Sequence, residues 1–460
     1  MALQTSGPIS LNDIHVEAGG TSGTTVSMND TDIRDLIGKG SGATMSFSEW
    51  YGASAFNFTN TLVRTINNPN TYGTSANDQL GRTGVRVAGN YIVAATMFED
   101  SAAANDSGVV YVYNRSTGAL IHTITNPNAG GGSAADRFAY AMDTDGTNLI
   151  IGAYYDAGGA NFSGKAYIYS LSSGSLIHTL SNPNAYSSEY GDQFGYSVAI
   201  DGSYAIVGAW LEESTSTGAT DSGAAYIFNT STGNLVHTLS NPNAAVREWF
   251  GTWVEISGNY AAVTAPFYTN STSADPNYRS GRVYVYNVST GSLVYTLNDP
   301  NAYGTAIGDL LGYLGGVRMT DKYLAVSAYA EDDAGNYQSG AGYVFDLSNG
   351  NLLKTFTNPN NYGTTAYDEF GQSVALDGDH VVFSSKNEDD ASNLGTGVAY
   401  LFNIPSGQLV ATITNPNAFG TAAGDGFGWT VDMDGSTIVG SAPGEDETSY
   451  SSAGKVYVFE

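Results

Sequence analysis

A repeat with a period of 56 to 61 residues, measured between one acidic residue of each copy and the next, extends over most of the chain. It limits the possible folds more than any other feature of the sequence. Each copy begins with Asn-Pro-Asn, or once with Asp-Pro-Asn, at positions 68, 126, 182, 241, 299, 358 and 415. An acidic residue follows each tripeptide: Asp78, Asp136, Asp192, Glu248, Asp309, Asp368 and Asp425. Self-similarity at one period is typical of solenoids, propellers and other repeat folds.

The third copy shows the plan of one repeat unit. Residues 194–200 are predicted to form a strand that ends at Asp201-Gly202, a dipeptide preferred in tight hairpins. Further strands are predicted over 204–210, 223–229 and 234–239, and the last two are joined by the turn Ser231-Thr232-Gly233. Four antiparallel strands in sequential order form the blade of a β-propeller, so we expect an all-β fold.

The third strand of each unit is apolar on both faces. In the third copy, Tyr226 and Phe228 point to one side and Ile227 points to the other. A sheet of this kind must be covered on both faces, and blades arranged around an axis provide that cover.

The two ends of the repeat region predict how the ring closes. Residues 61–66 match the pattern of a fourth strand, whereas the chain stops at Glu460, directly after the third strand of the seventh unit. The N-terminal strand would complete the last blade and remove an exposed sheet edge. The prediction is a seven-bladed β-propeller of four-stranded antiparallel blades over residues 57–460.

The repeat resembles one that is already known. The segments Asp-Gln-Phe-Gly-Tyr-Ser-Val-Ala-Ile-Asp-Gly (192–202), Ile-Val-Gly-Ala (206–209) and Ser-Gly-Ala-Ala-Tyr-Ile-Phe (222–228) are similar to the FG-GAP repeat. That resemblance implies the seven-bladed propeller of integrin α-chains and of many bacterial and viral surface proteins. Calcium-binding integrin repeats carry an Asp-x-Asp-x-Asp-Gly loop in the first hairpin. Here this turn is short, so the resemblance does not imply calcium at that position.

Residues 1–56 are predicted to form a separate module with two short helices, each ended by glycine. The segments Gly-Pro-Ile-Ser-Leu-Asn-Asp-Ile and Ser-Phe-Ser-Glu-Trp-Tyr-Gly resemble an N-terminal module of structural proteins from tailed phages, especially marine ones. Because the module is too small for a robust core, we expect it to dock to other virion proteins or to form a homo-oligomer. The predicted docking residues are Ile9, Leu11, Ile14, Phe47, Trp50 and Tyr51.

The composition argues against several kinds of partner. The formal net charge is −28 with only 16 Lys and Arg residues, which disfavours nucleic acid and anionic membrane surfaces. The sequence has no Cys, no apolar stretch long enough for membrane insertion and no secretory signal pattern. A virion that is assembled in the host cytoplasm and acts outside the cell would reconcile these features with a fold typical of adhesion domains.

The long variable loops are predicted to lie on one side of the disc, which we call the loop face. It is formed by the loops between strands two and three and by the linkers between blades, and such loops commonly carry function. Its aromatic residues predict sugar binding, with packing at loop bases as the alternative: Tyr154, Tyr155, Trp210, Phe267, Tyr268 and Tyr329. Its acidic pairs are candidate Ca²⁺ ligands, with turn capping as the alternative: Glu99, Asp100, Asp332, Asp333, Asp389, Asp390, Glu445 and Asp446.

We do not expect an enzyme. Three of the five histidines occupy one repeat position that holds Tyr, Lys or Ala in other copies, and a ligand or base would not tolerate those exchanges. No carboxylate pair stands out from the repeat background. The leading hypothesis is a phage virion appendage, a tail fibre or decoration protein, whose loop face binds a host-surface glycan or protein. The alternatives are a bacterial adhesin or lectin-like propeller and, less favoured, a polysaccharide-degrading propeller enzyme.

Overall fold

A computed structural model describes residues 10–18, 22, 27, 33–34, 56–69, 77–99, 107–128, 136–156, 163–183, 191–213, 221–243, 246–267, 279–301, 308–314, 316–332, 337–359, 366–389, 395–417, 423–447 and 451–460. The chain divides into two compact units, residues 1–61 with Glu460 and residues 62–459.

The second unit contains seven antiparallel sheets of four strands each, which confirms the predicted seven-bladed β-propeller. Blades 1 to 3 consist of β2 (Gly84–Ala88), β3 (Tyr91–Thr96), β4 (Val109–Asn114) and β5 (Leu120–Thr125); β6 (Phe138–Thr144), β7 (Asn148–Ala153), β8 (Lys165–Ser170) and β9 (Leu176–Ser181); and β10 (Ser197–Asp201), β11 (Tyr204–Ala209), β12 (Ala224–Asn229) and β13 (Leu235–Ser240).

Blades 4 to 6 repeat this order, and blade 7 uses both ends of the repeat region. Their strands are β14 (Val254–Ser257), β15 (Tyr260–Ala265), β16 (Arg282–Asn287) and β17 (Leu293–Asn298); β18 (Val317–Met319), β19 (Tyr323–Ala328), β20 (Ala341–Asp346) and β21 (Asn351–Thr357); β22 (Val374–Asp377), β23 (His380–Ser385), β24 (Val398–Asn403) and β25 (Leu409–Thr414); and β26 (Val431–Asp434), β27 (Thr437–Ala442), β28 (Lys455–Phe459) and β1 (Leu62–Asn67). First strands of neighbouring blades pack together, so they surround the axis.

The first strand of blade 3 is shorter than the sequence predicts. It begins at Ser197 rather than Phe194, because Gln193 and Gly195 have φ angles of 54° and 88° and interrupt the extended backbone. Phe194 instead forms a single parallel bridge to Gly164 of blade 2.

The core lies between the blades, as the two-sided apolar strands predict. Tyr226 and Phe228 pack with Ile150 and Ile168 of blade 2, whereas Ile227 of the same strand packs toward blade 4. Alternate side chains of one strand therefore belong to two different interfaces, and no blade can bury its aromatic residues alone.

The ring closes through the predicted strand pair. β1 pairs antiparallel with β28, with Ile66 opposite Val456 and Thr65 opposite Tyr457. The Arg64 guanidinium donates hydrogen bonds of 2.8 and 2.7 Å to the carbonyl oxygens of Arg115 and Ser116 in blade 1. The first strand of the chain is therefore joined to both the last blade and the first.

The outermost strand of each blade packs against a turn of the next blade. His122 of blade 1 lies beside Gly174, in the turn between strands three and four of blade 2, and His178 lies beside Gly233 in the same way. Ala411 is the exception, because strands three and four of blade 7 come from opposite ends of the chain and leave no turn glycine. The histidines therefore pack against turns. This role is consistent with the occurrence of Tyr, Lys or Ala at the same repeat position in other blades.

Replacing Gly174 with alanine is expected to destabilise the propeller by about 2 kcal/mol. Gly174 has a φ of 66°, and a Cβ atom there would lie 2.8 Å from Nδ1 of His122. Thermal unfolding measures the loss, and Gly202→Ala is the matched control, because Gly202 also has a positive φ but no atom within 4 Å of its Cβ position. Equal losses in the two variants would contradict the contact. His122→Ala should relieve part of the loss at Gly174.

In the first unit, the structure describes one helix with a complete N-terminal cap. The helix α1 (Leu11–Glu17) begins after Ser10, whose Oγ accepts a hydrogen bond of 3.1 Å from the Asp13 amide, while Asp13 accepts one of 2.8 Å from the Ser10 amide. Ile14 is fully buried and Leu11 is half-buried. Of the predicted docking residues, Ile9, Phe47, Trp50 and Tyr51 lie outside the described residues. Within the described part of the chain, no helix is long and apolar enough to cross a bilayer.

Candidate functional site

The mouth of the propeller axis on the loop face contains a cavity of about 390 Å³. In several blades the cavity is lined by the residue that follows the acidic residue of the linker by four positions. This position holds Arg82, Tyr140, Tyr196, Thr252, Tyr313, Gln372 and Trp429 in blades 1 to 7. The residues that line the cavity are Arg82, Thr83, Arg86, Met97, Tyr140, Trp253, Leu314, Arg318, Tyr329, Glu369, Gln372, Ser373, Lys386, Trp429 and Thr430.

Blades 2 to 5 contribute a continuous series of aromatic rings to this face, which we call the aromatic belt. In order of contact it consists of Tyr155, Tyr154, Tyr140, Tyr196, Trp210, Trp249, Phe267, Tyr313 and Tyr329. The ring centroids of neighbours lie 4.1 to 6.2 Å apart. Five predicted residues are thus brought together, while Tyr268 lies outside the described residues. The other four were not among the predicted site residues, although comparing the position four residues after each acid would have found Tyr140, Tyr196 and Tyr313.

The belt combines apolar faces with polar atoms that are held in place. The hydroxyls of Tyr140 and Tyr196 form a hydrogen bond of 2.8 Å, and Nε1 of Trp210 donates one of 2.8 Å to Gln193. All nine rings are half-buried. Burial raises the pKa of Tyr154 and Tyr196, and it raises the pKa of Tyr329 to about 12. These phenols stay protonated at neutral pH, so their hydroxyls can both donate and accept hydrogen bonds.

The opposite side of the mouth, from blades 6, 7 and 1, is cationic. The guanidinium of Arg82 lies 3.5 Å from the centroid of a Trp429 ring, and the ammonium of Lys386 lies 5.2 Å from it. Lys386 is paired with the Glu369 carboxylate. Arg82 donates a hydrogen bond of 3.2 Å to the Gln79 side chain, and no carboxylate among the described residues forms an ion pair with it. One half-buried positive charge at the mouth therefore lacks a carboxylate partner within the part of the chain that the structure describes.

A buried network of charges lies at the axis, and the sequence reasoning did not identify it. Arg86 pairs with Asp143 at 2.9 Å, and Arg318 pairs with Glu255 at 3.3 Å and with Asp432 at 3.9 Å. These residues come from the first strands of five blades, at one position of the innermost strand. Two guanidinium groups thus face three carboxyl groups in a largely buried space, and both guanidinium-bearing residues also line the cavity at the mouth.

The pKa values of the axial carboxyls reflect this imbalance. Burial, partly offset by Arg318, raises the pKa of Glu255 to about 8. Burial likewise raises the pKa of Asp432 to about 6, although its Oδ2 accepts a hydrogen bond of 2.8 Å from the Val87 amide. One axial carboxyl therefore retains its proton near neutral pH.

Several predicted metal ligands make hydrogen bonds that fix the loops. The first acid of a loop is buried: Glu99 and Glu445 have no exposed surface, and Glu445 accepts a hydrogen bond of 2.8 Å from the Tyr457 hydroxyl. The second acid accepts from a backbone amide six residues later, at 2.8 Å for Asp332, 2.9 Å for Asp389 and 2.8 Å for Asp446. Asp100, Asp333 and Asp390 lie outside the described residues.

In blades 5 and 6 the acidic pair of the loop begins one residue earlier than the sequence analysis placed it. Glu331 and Glu388 are fully buried and accept hydrogen bonds from the hydroxyls of Tyr343 and Tyr400. They occupy the repeat position of Glu445, so each pair in blades 5 and 6 begins one residue before Asp332 or Asp389. The pattern of a Tyr twelve residues after an acid could have indicated them.

Comparison with known families agrees with the fold. Four segments match the FG-GAP repeat: residues 128–169, 185–228, 363–402 and 416–459. They cover the first three strands of blades 2, 3, 6 and 7, apart from the last residue of the third strand in blades 2, 3 and 6. No curated protein matches the chain.

Proposed function

We propose that this seven-bladed propeller, which carries FG-GAP repeats, is a non-enzymatic appendage of a tailed-phage virion that binds an acidic glycan on the host surface. The observation that carries the proposal is the aromatic belt beside a mouth that contains Arg82, a cation with no ion pair to any described residue. An array of half-buried rings with protonated hydroxyls offers flat apolar surface for the C–H face of a sugar ring and hydrogen bonds for its hydroxyl groups.

The charge distribution favours an anionic ligand at this mouth. The protein carries a net charge of −28, so an acidic polymer is repelled by most of its surface. Arg82 is held over Trp429 with no carboxylate partner in the described residues, and its planar guanidinium can bind a carboxylate through two hydrogen bonds. A polysaccharide that contains uronic or sialic acid would combine rings for the belt with a carboxylate for Arg82.

Replacing Trp210 with alanine is expected to weaken glycan binding by about tenfold to a hundredfold, because Trp210 joins the rings of Tyr196 and Trp249 in the middle of the belt. Binding would be measured by calorimetry against a panel of neutral and acidic bacterial surface polysaccharides. Tyr367→Ala is the matched control, because Tyr367 is an exposed aromatic residue outside the belt. Binding to no acidic polysaccharide, or equal losses in both variants, would contradict the proposed site.

Arg82→Gln should remove the preference for acidic over neutral polysaccharides while the belt stays intact. The same incubations test the absence of catalysis, because oligosaccharide released from any substrate would indicate an enzyme. A bacterial adhesin or lectin-like propeller would use the same surface, and genes for capsid and tail proteins beside this one would distinguish the phage appendage from it.

Attachment to the particle is assigned to residues 1–56. Leu11 and Ile14 lie on the capped helix α1, and the segment resembles phage N-terminal modules. A chain that starts at residue 56 is expected to lose self-association or virion docking but to retain glycan binding. Size-exclusion chromatography with light scattering measures the first property, and an unchanged oligomeric state together with normal incorporation into particles would exclude this role.

A further inference from the structure

The linker of blade 5 differs from the other six at the first residue of its tripeptide. In those blades the first Asn of the Asn-Pro-Asn tripeptide donates a side-chain hydrogen bond to the acidic residue of the linker. The donor–acceptor pairs are Asn68 with Asp78 (3.1 Å), Asn126 with Asp136 (3.0 Å), Asn182 with Asp192 (2.8 Å), Asn241 with Glu248 (2.8 Å), Asn358 with Asp368 (2.8 Å) and Asn415 with Asp425 (3.0 Å). Blade 5 has Asp299 at this position.

In blade 3 the amide also connects the linker to the loop acid. Nδ2 of Asn182 donates a second hydrogen bond, of 3.0 Å, to Glu212. One NH₂ group thus lies between two buried carboxylates and offers a hydrogen to each. The positive end of the amide dipole reduces the repulsion between the two acids.

In blade 5 the amide is replaced by a third carboxyl. Oxygen atoms of Asp299, Asp309 and Glu331 all lie within 4.8 Å of one another. Asp309 is 3% exposed and Glu331 is 0% exposed. The local backbone is unchanged, because Asp299 still accepts a hydrogen bond of 2.9 Å from the Asn301 amide, as Asn126 does from Asn128.

The cluster has acceptor atoms without donors. Oδ2 of Asp299 and Oδ2 of Asp309 are buried, and no described residue outside the cluster donates a hydrogen bond to either atom. No Lys or Arg of the described residues forms an ion pair with Asp299 or Asp309. Such a group of buried oxygens requires either protons or a cation.

We propose that blade 5 contains a site for one divalent cation, Ca²⁺, between Asp299, Asp309 and Glu331. The ligands are exclusively carboxylate oxygens, which select hard cations over Zn²⁺ or Cu²⁺, and Ca²⁺ accepts the irregular arrangement of such oxygens more readily than Mg²⁺. The site lies where the linker meets the loop, not in the hairpin between strands one and two. It connects the linker of blade 5 with the loop that follows β19, and it does not depend on the proposed glycan function.

The test is calcium binding to the full-length protein after treatment with EDTA. Titration with CaCl₂ in a calorimeter should give one ion per chain, and thermal unfolding should occur at a higher temperature in CaCl₂ than in EDTA. Binding near pH 7 should release protons, which is measured by comparing buffers with different ionisation enthalpies. No heat of binding and equal unfolding temperatures would overturn the proposal and assign the cluster to bound protons.

Two exchanges at the same repeat position make the test specific. Asp299→Asn restores the arrangement of the other six blades, so it should weaken Ca²⁺ binding by roughly tenfold or more without loss of stability in EDTA. Asn182→Asp places a third carboxyl beside Asp192 and Glu212 and should raise the stoichiometry to two ions per chain. Undiminished binding in the first variant, or one ion per chain in the second, would contradict the assignment.

Discussion

Replacing Arg318 with methionine is expected to lower the free energy of unfolding by about 3–5 kcal/mol at pH 8, because the exchange leaves Glu255 and Asp432 buried without a shared cation. Methionine keeps much of the volume of the arginine stem, so the loss would arise chiefly from the charge. Only Arg86 would then remain at the axis to offset three carboxyl groups. Denaturant-induced unfolding followed by tryptophan fluorescence measures the effect.

The loss should depend on pH in a defined direction. The folded-state pKa of Glu255 is about 8 and lies above its unfolded value near 4.5, so its contribution to stability is complete below pH 4.5 and is lost as the pH rises through 8. Removing Arg318 raises this pKa further. The difference between variant and parent should therefore increase from pH 4.5 to pH 8, and a difference that is equal at both values would contradict the charge explanation.

Glu255→Gln provides the matched control for Arg318→Met. It removes the surplus carboxyl but preserves the shape of the side chain, so the parent's loss of stability between pH 4.5 and pH 8 should become smaller. In the double variant, the effect of Arg318→Met should be reduced, because one of the two carboxyls that lose their cation is no longer present.

Deleting residues 1–67 is expected to prevent formation of a stable monomeric propeller. The deletion removes β1, which leaves the edge of β28 exposed and the cluster around Ile66, Tyr111 and Val456 open. The lost ladder hydrogen bonds and the lost burial of Ile66 together amount to roughly 5 kcal/mol or more. Sedimentation velocity and circular dichroism would detect the expected aggregation and loss of structure.

The control for this deletion is a chain that starts at residue 56. It retains Thr61, whose amide and carbonyl oxygen each form a 3.0 Å hydrogen bond with Glu460, and it retains all of β1. This chain should give the sheet spectrum and melting behaviour of a complete propeller. If the chain without residues 1–67 were equally stable and monomeric, closure by β1 would not contribute to the fold in the way that the strand pairing indicates.

The candidate sites arise at repeat positions that the propeller fold leaves free to vary. The position four residues after the linker acid holds Tyr196 in blade 3, Gln372 in blade 6 and Trp429 in blade 7, whereas the Tyr of the third strand is the same in all seven blades. Interblade packing fixes the latter, because each of these tyrosines is buried between two sheets. The mouth is bordered by side chains that packing does not fix, so it can be specialised without loss of the fold.

Much of the loop face could be predicted from the sequence, but its chemistry could not. The loops and five residues of the aromatic belt were identified, because they follow strands whose order is evident from the repeat. The partners of these residues were not: Trp249 and Tyr313 lie in copies whose linkers differ from the consensus, and their contacts join neighbouring blades. The axial pairs, such as Arg318 with Glu255, join residues that are 63 positions apart and occupy equivalent positions of two repeats. Each repeat considered alone contains only one charged residue there, so the pair could not be recognised from the sequence.

The number of blades, the order of their strands and the closure by the first strand were determined by the sequence alone, because hydrophobic alternation and turn residues act over a few neighbouring positions and are repeated seven times. Only the tertiary structure decided which side chains of different blades meet: the aromatic belt, the axial charges and the three carboxyls of blade 5. These contacts depend on the curvature of the ring, which brings together residues that are far apart along the chain. A pattern of neighbouring residues does not predict which side chains of different blades come into contact.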